Sequence, residues 1–368
     1  MKILEICEFS AGICGVWTRV FHESKLLQKL GHEVYVFSSD IEKGTGKKVS
    51  LKELREKIEI CRFPSRKTYF SGNVHAFNFE KELKKLKPHI VITHLIHPHS
   101  FRALKLCREM QIPCIIVTHA PFDVKRNFPL NIITWAYYNF HVKKKIRGFD
   151  KVIAITKWES PHLLKMGASP NKIIYLPNGI PSEFFRQKIK PFRRKKLMFL
   201  GRVAPVKKLE TLIASFNKIE DKHLVLEIVG PVEKGYEEIK NYSSQRIIFS
   251  PTIRSLNAKI KKLQEADIFI LPSMREGLPQ SLIEAMALGK IVVSSDTAGA
   301  KEVIIDGKNG FLFNIGDKDD LAEKIKHVLK MHNSDIAKMQ KAARNSVRGF
   351  DWKIVINKLN KLVKSYKK

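Results

Sequence analysis

The chain has 368 residues, of which 44% are hydrophobic and 28% are charged. This composition is that of a globular protein long enough for two domains, and it excludes a membrane-spanning helix, because no run approaches roughly 20 apolar residues. The formal net charge of +31 favours anionic partners such as phosphorylated substrates or an acidic membrane surface.

The cysteines and the N-terminus indicate a reduced, cytoplasmic protein. Five cysteines are scattered along the chain without a C-x-x-C pair, which disfavours a zinc site. The first residues, M-K-I-L-E-I-C-E-F-S, carry two acidic residues and predict a strand, not a signal peptide. Nucleic acid is disfavoured as a partner, because no nucleic-acid-binding motif accompanies the dispersed lysines. We expect a cytoplasmic location, with attachment to the inner face of the cell membrane as the alternative.

Strands and helices alternate through the first half, which predicts an α/β domain with a parallel sheet. Predicted strands lie at 2–8, 33–39, 58–63, 89–93, 113–118 and 151–155, and predicted helices at 18–30, 75–86 and 128–147. Gly12 and Gly15 follow the first strand but lack the third glycine of G-x-G-x-x-G, so a nicotinamide cofactor is disfavoured. The helix 128–147 carries aromatic residues beside a basic cluster, which suits either a membrane interface or packing on the sheet.

Four histidines follow two of these strands. His94, His97 and His99 are interrupted by Pro98 and have no carboxylate next to them in sequence, which disfavours a metal site. We expect them to line the loop at the carboxyl end of a parallel strand, where ligands bind in α/β folds. His119 follows the next strand, and its position alone suits either a hydrogen-bonded strand-end residue or a site residue.

The second half repeats the alternation. Predicted strands lie at 197–200, 224–229, 246–249, 268–271 and 291–294, and predicted helices at 208–217, 255–265, 279–288, 317–331, 335–348 and 350–368. The segment 182–196 is basic and aperiodic, which is typical of a domain boundary. We therefore expect one domain over residues 1–185 and a second over residues 193–349.

The stretch 266–313 carries the most informative chemical pattern. Its loop and helix have the sequence P-S-M-R-E-G-L-P-Q-S-L-I-E-A-M-A-L-G-K, in which Pro279 suits a helix start and Gly277 allows close approach of the backbone to a ligand. A helix N-terminus offers free N–H groups to an anion. Glu276 before the helix and Glu284 within it suit a ligand with phosphates in the middle and hydroxyls at both ends, such as a sugar nucleotide. An acidic surface loop is the alternative.

This segment resembles the donor-site signature of the retaining family 4 glycosyltransferases, which have the GT-B fold. Glu276 and Glu284 match the E-x7-E motif of that family. The resemblance implies two Rossmann-like domains facing across a cleft, with the last helix, 350–368, packing back on the first domain. It implies transfer of a hexose from a UDP- or GDP-linked sugar to a glycan or lipid-linked acceptor, in glycan, glycolipid or surface polysaccharide synthesis, with retention of configuration.

The resemblance also implies roles for individual residues. Glu284 would hold the ribose and Glu276 the sugar hydroxyls, while His119, in T-H-A where the family has T-H-G, would contact the transferred sugar; His119 and Glu276 are the catalytic candidates. Arg202 and Lys207 match a G-R-x-x-x-x-K-G motif that holds the diphosphate, although the final glycine is Lys208 here. The donor-binding candidates are Gly15, Arg202, Lys207, Gly230, Gly277, Leu278, Pro279, Gln280, Ser281 and Glu284.

No metal ion or other cofactor is expected, because the resemblance implies that these cations replace a metal on the diphosphate. The family is described with attack on the same face from which the diphosphate leaves, and no carboxylate stands out as a nucleophile. Two alternatives stay open. One is a sugar-nucleotide epimerase of GT-B fold, and the other is an anion-binding module without catalysis, against which the four charged motif residues argue.

Overall fold

The computed structural model describes residues 1–12, 14–67, 74–119, 140 and 142–367 of the chain. The chain forms two compact units, one of Met1–Asn178 with Ile354–Lys368 and one of Gly179–Lys353. Each unit is built on its own sheet. None of the described helices is long and apolar enough to cross a membrane.

The first unit alternates strands and helices, as predicted. Its strands are β1 (Lys2–Ile6), β2 (Glu33–Ser39), β3 (Lys52–Arg55), β4 (Ile58–Phe63), β5 (Ser65–Lys67), β6 (His75–Phe77), β7 (Ile90–His94), β8 (Cys114–Val117), β9 (Lys151–Ala154) and β10 (Ile173–Tyr175). Its helices are α1 (Gly15–Lys29), α2 (Glu80–Leu86), α3 (Pro98–Glu109), α4 (Lys143–Ile146) and α5 (Glu159–Lys165), with a 3-10 turn at Pro170–Lys172.

The larger sheet of this unit has the strand order β10-β9-β8-β7-β1-β2-β4-β3 among the described residues. All neighbours are parallel except β3, which is antiparallel to β4. The order reverses between β1 and β7, so the loops after these two strands separate at the carboxyl edge of the sheet. Both faces of the central strands are covered, and this explains their continuous apolar sequences. Glu5, in the middle of β1, is a charged exception and is fully buried.

Two predictions for this unit were wrong. The predicted helix 75–86 is instead strand β6 followed by α2, because His75 and Phe77 pair antiparallel with β5 and the Phe77 ring stacks on Phe63 with 6.3 Å between centroids. The predicted loop around His99 belongs to α3, which starts at Pro98. The predicted helix 128–147 lies mostly outside the described residues, and only its end, α4, is described.

The second unit carries the elements predicted for it. Its strands are β11 (Lys196–Leu200), β12 (Val225–Val229), β13 (Ile247–Ser250), β14 (Ile268–Leu271), β15 (Ile291–Ser295) and β16 (Phe311–Phe313). Its helices are α6 (Glu183–Arg186), α7 (Leu209–Asn217), α8 (Leu256–Glu265), α9 (Gln280–Ala287), α10 (Ala298–Lys301), α11 (Lys318–Lys330) and α12 (Asn333–Ser346). Short 3-10 turns lie at Pro205–Lys207, Glu237–Tyr242 and Arg348–Phe350, and α13 (Trp352–Lys364) ends the chain.

The sheet of the second unit is parallel, with the order β13-β12-β11-β14-β15-β16 in the part of the chain that the structure describes. Numbered along the chain, this order is 3-2-1-4-5-6, the doubly wound arrangement of Rossmann folds. The doubly wound α/β architecture predicted for the second domain is therefore confirmed. From Ile354 onward, α13 groups with the first unit, where Asn360 Oδ1 lies 2.8 Å from His32 Nε2.

Local sequence explains where the second-unit helices begin and end. The Ser255 side chain accepts a hydrogen bond from Ala258 N at the start of α8, and the Asp317 side chain accepts two at the start of α11. Gly289 follows α9 in the left-handed region, at φ +68°, as predicted for a terminating glycine. Helix α9 begins at Gln280, directly after the loop that follows β14.

Candidate active site

The candidate site lies at the carboxyl ends of β11 and β14, where the strand order of the second sheet reverses. Ligands of doubly wound sheets bind at such a reversal, because the loops on its two sides diverge and leave a crevice. An open pocket of about 520 Å³ lies there, lined by Arg202, Ala204, Pro205, Val206, Lys207, Glu233 and Arg275. Three cations in one pocket favour an anionic ligand. Arg202 is exposed and bonds through Nη1 to the carboxylate of Glu233.

Lys207 and Glu276 form an ion pair beside this pocket. Lys207 Nζ lies 2.6 Å from Glu276 Oε1, and Ser273 Oγ donates to the same oxygen at 2.6 Å. The two charged side chains are only 19% and 12% exposed, so solvent screens their attraction weakly. The second oxygen of Glu276 has no partner among the described residues and is available to a hydroxyl donor. The structure thus brings two predicted site residues together.

The neighbouring Lys208 has a different part in the fold. Its backbone is left-handed, with φ +49° and ψ +49°, and it precedes the first residue of α7. Glycine adopts this conformation without strain, which gives a physical reason for the glycine that the resembling family has at this position. Of the two adjacent lysines, Lys207 is the one that reaches Glu276.

Glu284 lies on α9, is only 5% exposed, and is held by a lysine that the sequence analysis missed. Lys259 Nζ, from α8, bonds to both carboxylate oxygens, at 2.7 Å and 2.9 Å. Burial raises the pKa of Glu284, and the Lys259 ammonium works in the opposite direction. The lysine therefore favours the ionised carboxylate and fixes its orientation. No sequence pattern distinguished Lys259 from the other lysines of α8.

The start of α9 presents donors toward the same edge of the sheet. Pro279 is its N-cap, and the first turn contains no acidic residue to occupy the free N–H groups of Gln280 and Ser281. The Gln280 side chain adds a further donor, because its Nε2 is buried without a partner in the described structure. Leu278, in the preceding loop, is 9% exposed and anchors that loop to the core.

Two glycines fit the backbone closely at this edge. At Gly230, after β12, φ is +144° and a Cβ would lie 1.9 Å from Gly201 O. At Gly299, in α10, a Cβ would lie 2.5 Å from Gly277 O and 2.6 Å from Glu276 O. Gly299 N also donates to Glu276 O at 3.2 Å. Gly299, which the sequence analysis did not single out, therefore allows α10 to support the loop of the candidate site.

In the first unit, a side chain would have space at Gly15 but not at Gly12. Gly15 is the first residue of α1, and a Cβ there would meet nothing within 4 Å. Gly12 has φ +81°, and a Cβ there would lie 2.2 Å from Lys43 O. Packing within the first unit thus requires glycine at position 12 and leaves position 15 unconstrained. The donor-side role of Gly15 stays a prediction.

His119 follows β8 with a left-handed backbone, at φ +61°, and bonds to a second histidine. His119 Nε2 lies 2.9 Å from His94 Nδ1, and His94 Nε2 lies 2.7 Å from Glu5 Oε2. Burial lowers the pKa of His94 to about 3 and that of His119 well below its ordinary value, so both rings are neutral near pH 7. Glu5 is a further residue that the sequence analysis missed, although a charge inside an apolar strand was a visible signal.

The three clustered histidines bond to separate partners. His97 Nδ1 bonds to Glu8 Oε2 at 2.8 Å, and His99 Nε2 donates to the carbonyl oxygen of His94 at 2.8 Å. Burial opposes ionisation of Glu8, but the hydrogen bond and charge of His97, the charge of His99 and the hydrogen bond from His75 N together outweigh burial and lower the pKa of Glu8. The histidines therefore organise the loop after β7 through individual hydrogen bonds.

One group in the described structure has the ligand types and spacing for a metal ion, namely Glu5, Glu23 and His94, whose ligand atoms lie within 4.8 Å of one another. The Arg19 guanidinium already supplies the positive charge there, because its Nε bonds to Glu23 Oε2 at 2.8 Å. A buried guanidinium paired with one of the three would repel a divalent cation. These three residues therefore do not fit a metal centre.

Comparison with known proteins agrees with these features. The chain is 24% identical over 302 residues to sulfoquinovosyl transferase SQD2 of Arabidopsis thaliana, across 76% of this chain and 57% of that protein. It is 24% identical over 376 residues to a GDP-mannose-dependent alpha-mannosyltransferase of Mycobacterium tuberculosis, across 95% of this chain and 93% of that one. The chain therefore spans little more than half of the first relative's length.

The fold matches that of Anabaena Alr3699/HepE in complex with UDP, with a TM-score of 0.77, 15% identity, and coverage of 99% of this chain and 100% of that chain. A family model described as Glycosyltransferase Family 4 matches residues 13–184, and one described as Glycosyl transferases group 1 matches residues 181–346. Matched over nearly all of its length by these two models, the chain belongs to the group 1, family 4 glycosyltransferases and has the GT-B fold.

Proposed function

We propose that the chain transfers a hexose from a UDP- or GDP-linked sugar to a hydroxyl of a glycan or lipid-linked acceptor, with retention of configuration and without a metal ion. The observation that carries the proposal is the grouping of charges at the strand reversal of the second sheet. A cationic pocket lies there, Glu276 stands beside it, and Glu284 is held on α9 by Lys259. This order of charges is complementary to a sugar, a diphosphate and a ribose.

Each part of the donor has a partner in this arrangement. The Glu284 carboxylate accepts hydrogen bonds from the ribose hydroxyls, since each of its oxygens retains a free lone pair beside the bond from Lys259. Glu276 accepts from the sugar hydroxyls. Lys207, Arg202 and the first N–H groups of α9 bind the diphosphate. These groups stabilise the negative charge that develops on the diphosphate as it leaves, the task that a metal ion performs in other enzymes.

The proposed transfer proceeds on one face of the sugar. The acceptor hydroxyl attacks the anomeric carbon from the side on which the diphosphate departs, the carbon–oxygen bond to phosphate breaks, and the hydroxyl proton passes to the departing phosphate oxygen. A covalent glycosyl-enzyme detected by mass spectrometry would contradict this mechanism.

The first test is a thermal-shift panel with UDP, GDP, ADP and their common sugars, with and without EDTA. A ligand at 100 times its dissociation constant stabilises the folded protein by about 2.7 kcal/mol. We expect one nucleotide to raise the unfolding temperature equally with and without EDTA, and we expect Glu284→Gln to abolish the effect. One relative named above is GDP-mannose-dependent and the structural neighbour was solved in complex with UDP, so the panel compares both bases.

Lys207→Met and Lys208→Met form a matched pair for the diphosphate contact. We expect the first to lose nucleotide binding and the second to keep it, because only Lys207 reaches Glu276. Binding lost in Lys208→Met and kept in Lys207→Met would reverse the assignment. With a nucleotide sugar as substrate, release of nucleoside diphosphate that requires an added acceptor is the expected result for a transferase, and release without any acceptor would count against one.

The acceptor and the location of the protein are part of the same proposal. A net charge of +31 attracts acidic surfaces, and a lipid-linked acceptor would be presented at such a surface. We expect the protein to sediment with vesicles that contain anionic lipid at low salt and to remain in solution with neutral vesicles. Equal sedimentation with both would remove the electrostatic basis of this expectation.

A further inference from the structure

A chain of hydrogen bonds runs across three adjacent strands of the first sheet and ends at His119. Glu5 lies on β1, His94 ends β7 and His119 follows β8, and these strands are neighbours in the order β8-β7-β1. Glu5 Oε2 lies 2.7 Å from His94 Nε2, and His94 Nδ1 lies 2.9 Å from His119 Nε2. Glu5 and His94 are fully buried, so water does not interrupt the chain.

The surroundings of Glu5 favour its neutral, protonated form. The nearby Arg19 bonds to Glu23, to the carbonyl oxygen of Leu176 and to Asn178 Oδ1, and none of its bonds goes to Glu5. Glu5 Oε1 is buried without a partner among the described residues. A carboxylate in this position would have an unpaired charge in the core, whereas a carboxylic acid has only one unpaired carbonyl oxygen. The acid can donate its single O–H to His94.

The proton on Glu5 determines which nitrogen carries the proton in each histidine. If the Glu5 acid donates to His94 Nε2, that nitrogen is the acceptor of a neutral ring, and His94 Nδ1 must carry the hydrogen. His94 Nδ1–H then donates to His119 Nε2, so the hydrogen of His119 is on Nδ1. No described residue bonds to His119 Nδ1. Through this chain of hydrogen bonds, a proton on buried Glu5 leaves His119 with an N–H donor at Nδ1.

We propose that Glu5 is a positioning residue for glycosyl transfer, whose proton sets the tautomer of His119 so that Nδ1–H donates a hydrogen bond to the transferred sugar. This inference rests on the proposed function, and it takes the contact between His119 and the transferred sugar from the family resemblance. It assigns to Glu5 and His94 a role beyond packing. It also explains why a charged residue and a second histidine occupy core positions of central strands.

The same chain predicts a change with pH. Burial raises the pKa of Glu5 to about 8, against a smaller opposing effect of Arg19. Arg19 and Glu23 face Glu5 from α1, paired with each other, and His94 bonds to it from β7 as a neutral ring. Once Glu5 ionises, His94 Nε2–H donates to the carboxylate, and His94 Nδ1 accepts from His119 Nε2–H. His119 Nδ1 then becomes an acceptor and can no longer donate to the sugar.

The test combines nitrogen-15 NMR of labelled histidines with pH–rate profiles, on the full chain. Wild type should show His94 and His119 with hydrogen on Nδ1 at pH 6.5 and on Nε2 above the ionisation of Glu5. Its kcat should fall tenfold per pH unit above about pH 8. Glu5→Gln should hold one tautomer across this range, because an amide does not titrate, and its rate should then be independent of pH. Glu8→Gln is the control, since Glu8 bonds to His97 and is not part of the hydrogen-bond chain from Glu5 to His119.

Two results would overturn the proposal. One is a His119 tautomer that changes neither with pH nor on the Glu5→Gln substitution. The other is a tautomer that follows Glu5 while the alkaline fall in rate is the same in wild type and Glu5→Gln. A rate in Glu5→Gln that matches wild type at the pH where both hold the same tautomer supports it. Failure of the proposed function is recognised separately, because nucleotide binding is measured at the second unit and the NMR measurement needs no substrate.

Discussion

Replacing Glu5 by glutamine should change how the stability of the first unit depends on pH. The ordinary pKa of the side chain is 4.5, and burial raises it to about 8 in the folded chain. The folded state therefore retains a proton that the unfolded state releases above pH 4.5. The contribution of this group to stability is complete below pH 4.5, falls as the pH rises, and is fully lost above pH 8.

The magnitude follows from the difference between the two pKa values, about 3.5. At about 1.4 kcal/mol per pKa unit, the full loss is about 5 kcal/mol, and the part between pH 5 and pH 7 is about 3 kcal/mol. Glutamine keeps the size of the side chain and does not titrate. The free energy of unfolding of Glu5→Gln minus that of wild type should therefore rise by about 3 kcal/mol from pH 5 to pH 7.

Urea unfolding monitored in the first unit, at several values of pH between 5 and 9, measures this difference. Other groups that titrate in the same range are present in both proteins, so their contributions cancel in the subtraction. The difference should become constant above pH 8. A difference that stays constant within about 0.5 kcal/mol from pH 5 to pH 7 would refute the reasoning, because it would mean that Glu5 is ionised in the fold.

Three further substitutions test the candidate site. Gly299→Ala places a Cβ within 2.6 Å of two backbone carbonyl oxygens in the loop after β14. Nucleotide affinity measured by calorimetry should therefore fall at least about tenfold, or about 1.4 kcal/mol. An unchanged affinity would contradict the packing argument. Lys208→Gly relieves a left-handed backbone and should raise the unfolding temperature by about 2 °C, whereas a lower temperature would show that the lysine side chain contributes more than the strain. Lys259→Met removes both bonds to Glu284 and should weaken nucleotide binding by about tenfold or more, whereas Lys259→Arg should stay close to wild type. Lys261→Met, on the exposed side of the same helix, is the control. Equal affinities in Lys259→Met and Lys261→Met would contradict the role of Lys259.

The fold was predictable because the central strands are covered on both faces. Segments such as 268–271 and 291–293 are then apolar at every position, and this pattern needs no knowledge of neighbours. The segment 75–86 was not predictable in the same way. Its helix-like spacing comes from aromatic residues that pack against Phe63 and Phe37. Pairing with β5 makes the first part of the segment a strand. Pairing between distant short strands leaves almost no local signal.

The site residues also differ in whether their spacing is local in the sequence or is set by packing between distant elements. Glu276 and Glu284 lie eight residues apart on one loop and one helix, so their spacing is visible in the sequence. Lys259 lies 25 residues before its partner Glu284, and its position beside Glu284 depends on how α8 and α9 pack on the sheet.

Glu5 illustrates an intermediate case. Its partner His94 is 89 residues away, and their contact depends on β1 and β7 being neighbours. Its anomaly is nevertheless local, because a carboxyl at the centre of a buried strand must be neutral, paired or bonded to a buried acceptor. A charged residue inside an apolar strand run therefore identifies a buried polar network before the partners are known. The strand order then identifies the partners. The ring nitrogen of His94 that carries the hydrogen determines which group donates and which accepts in each hydrogen bond.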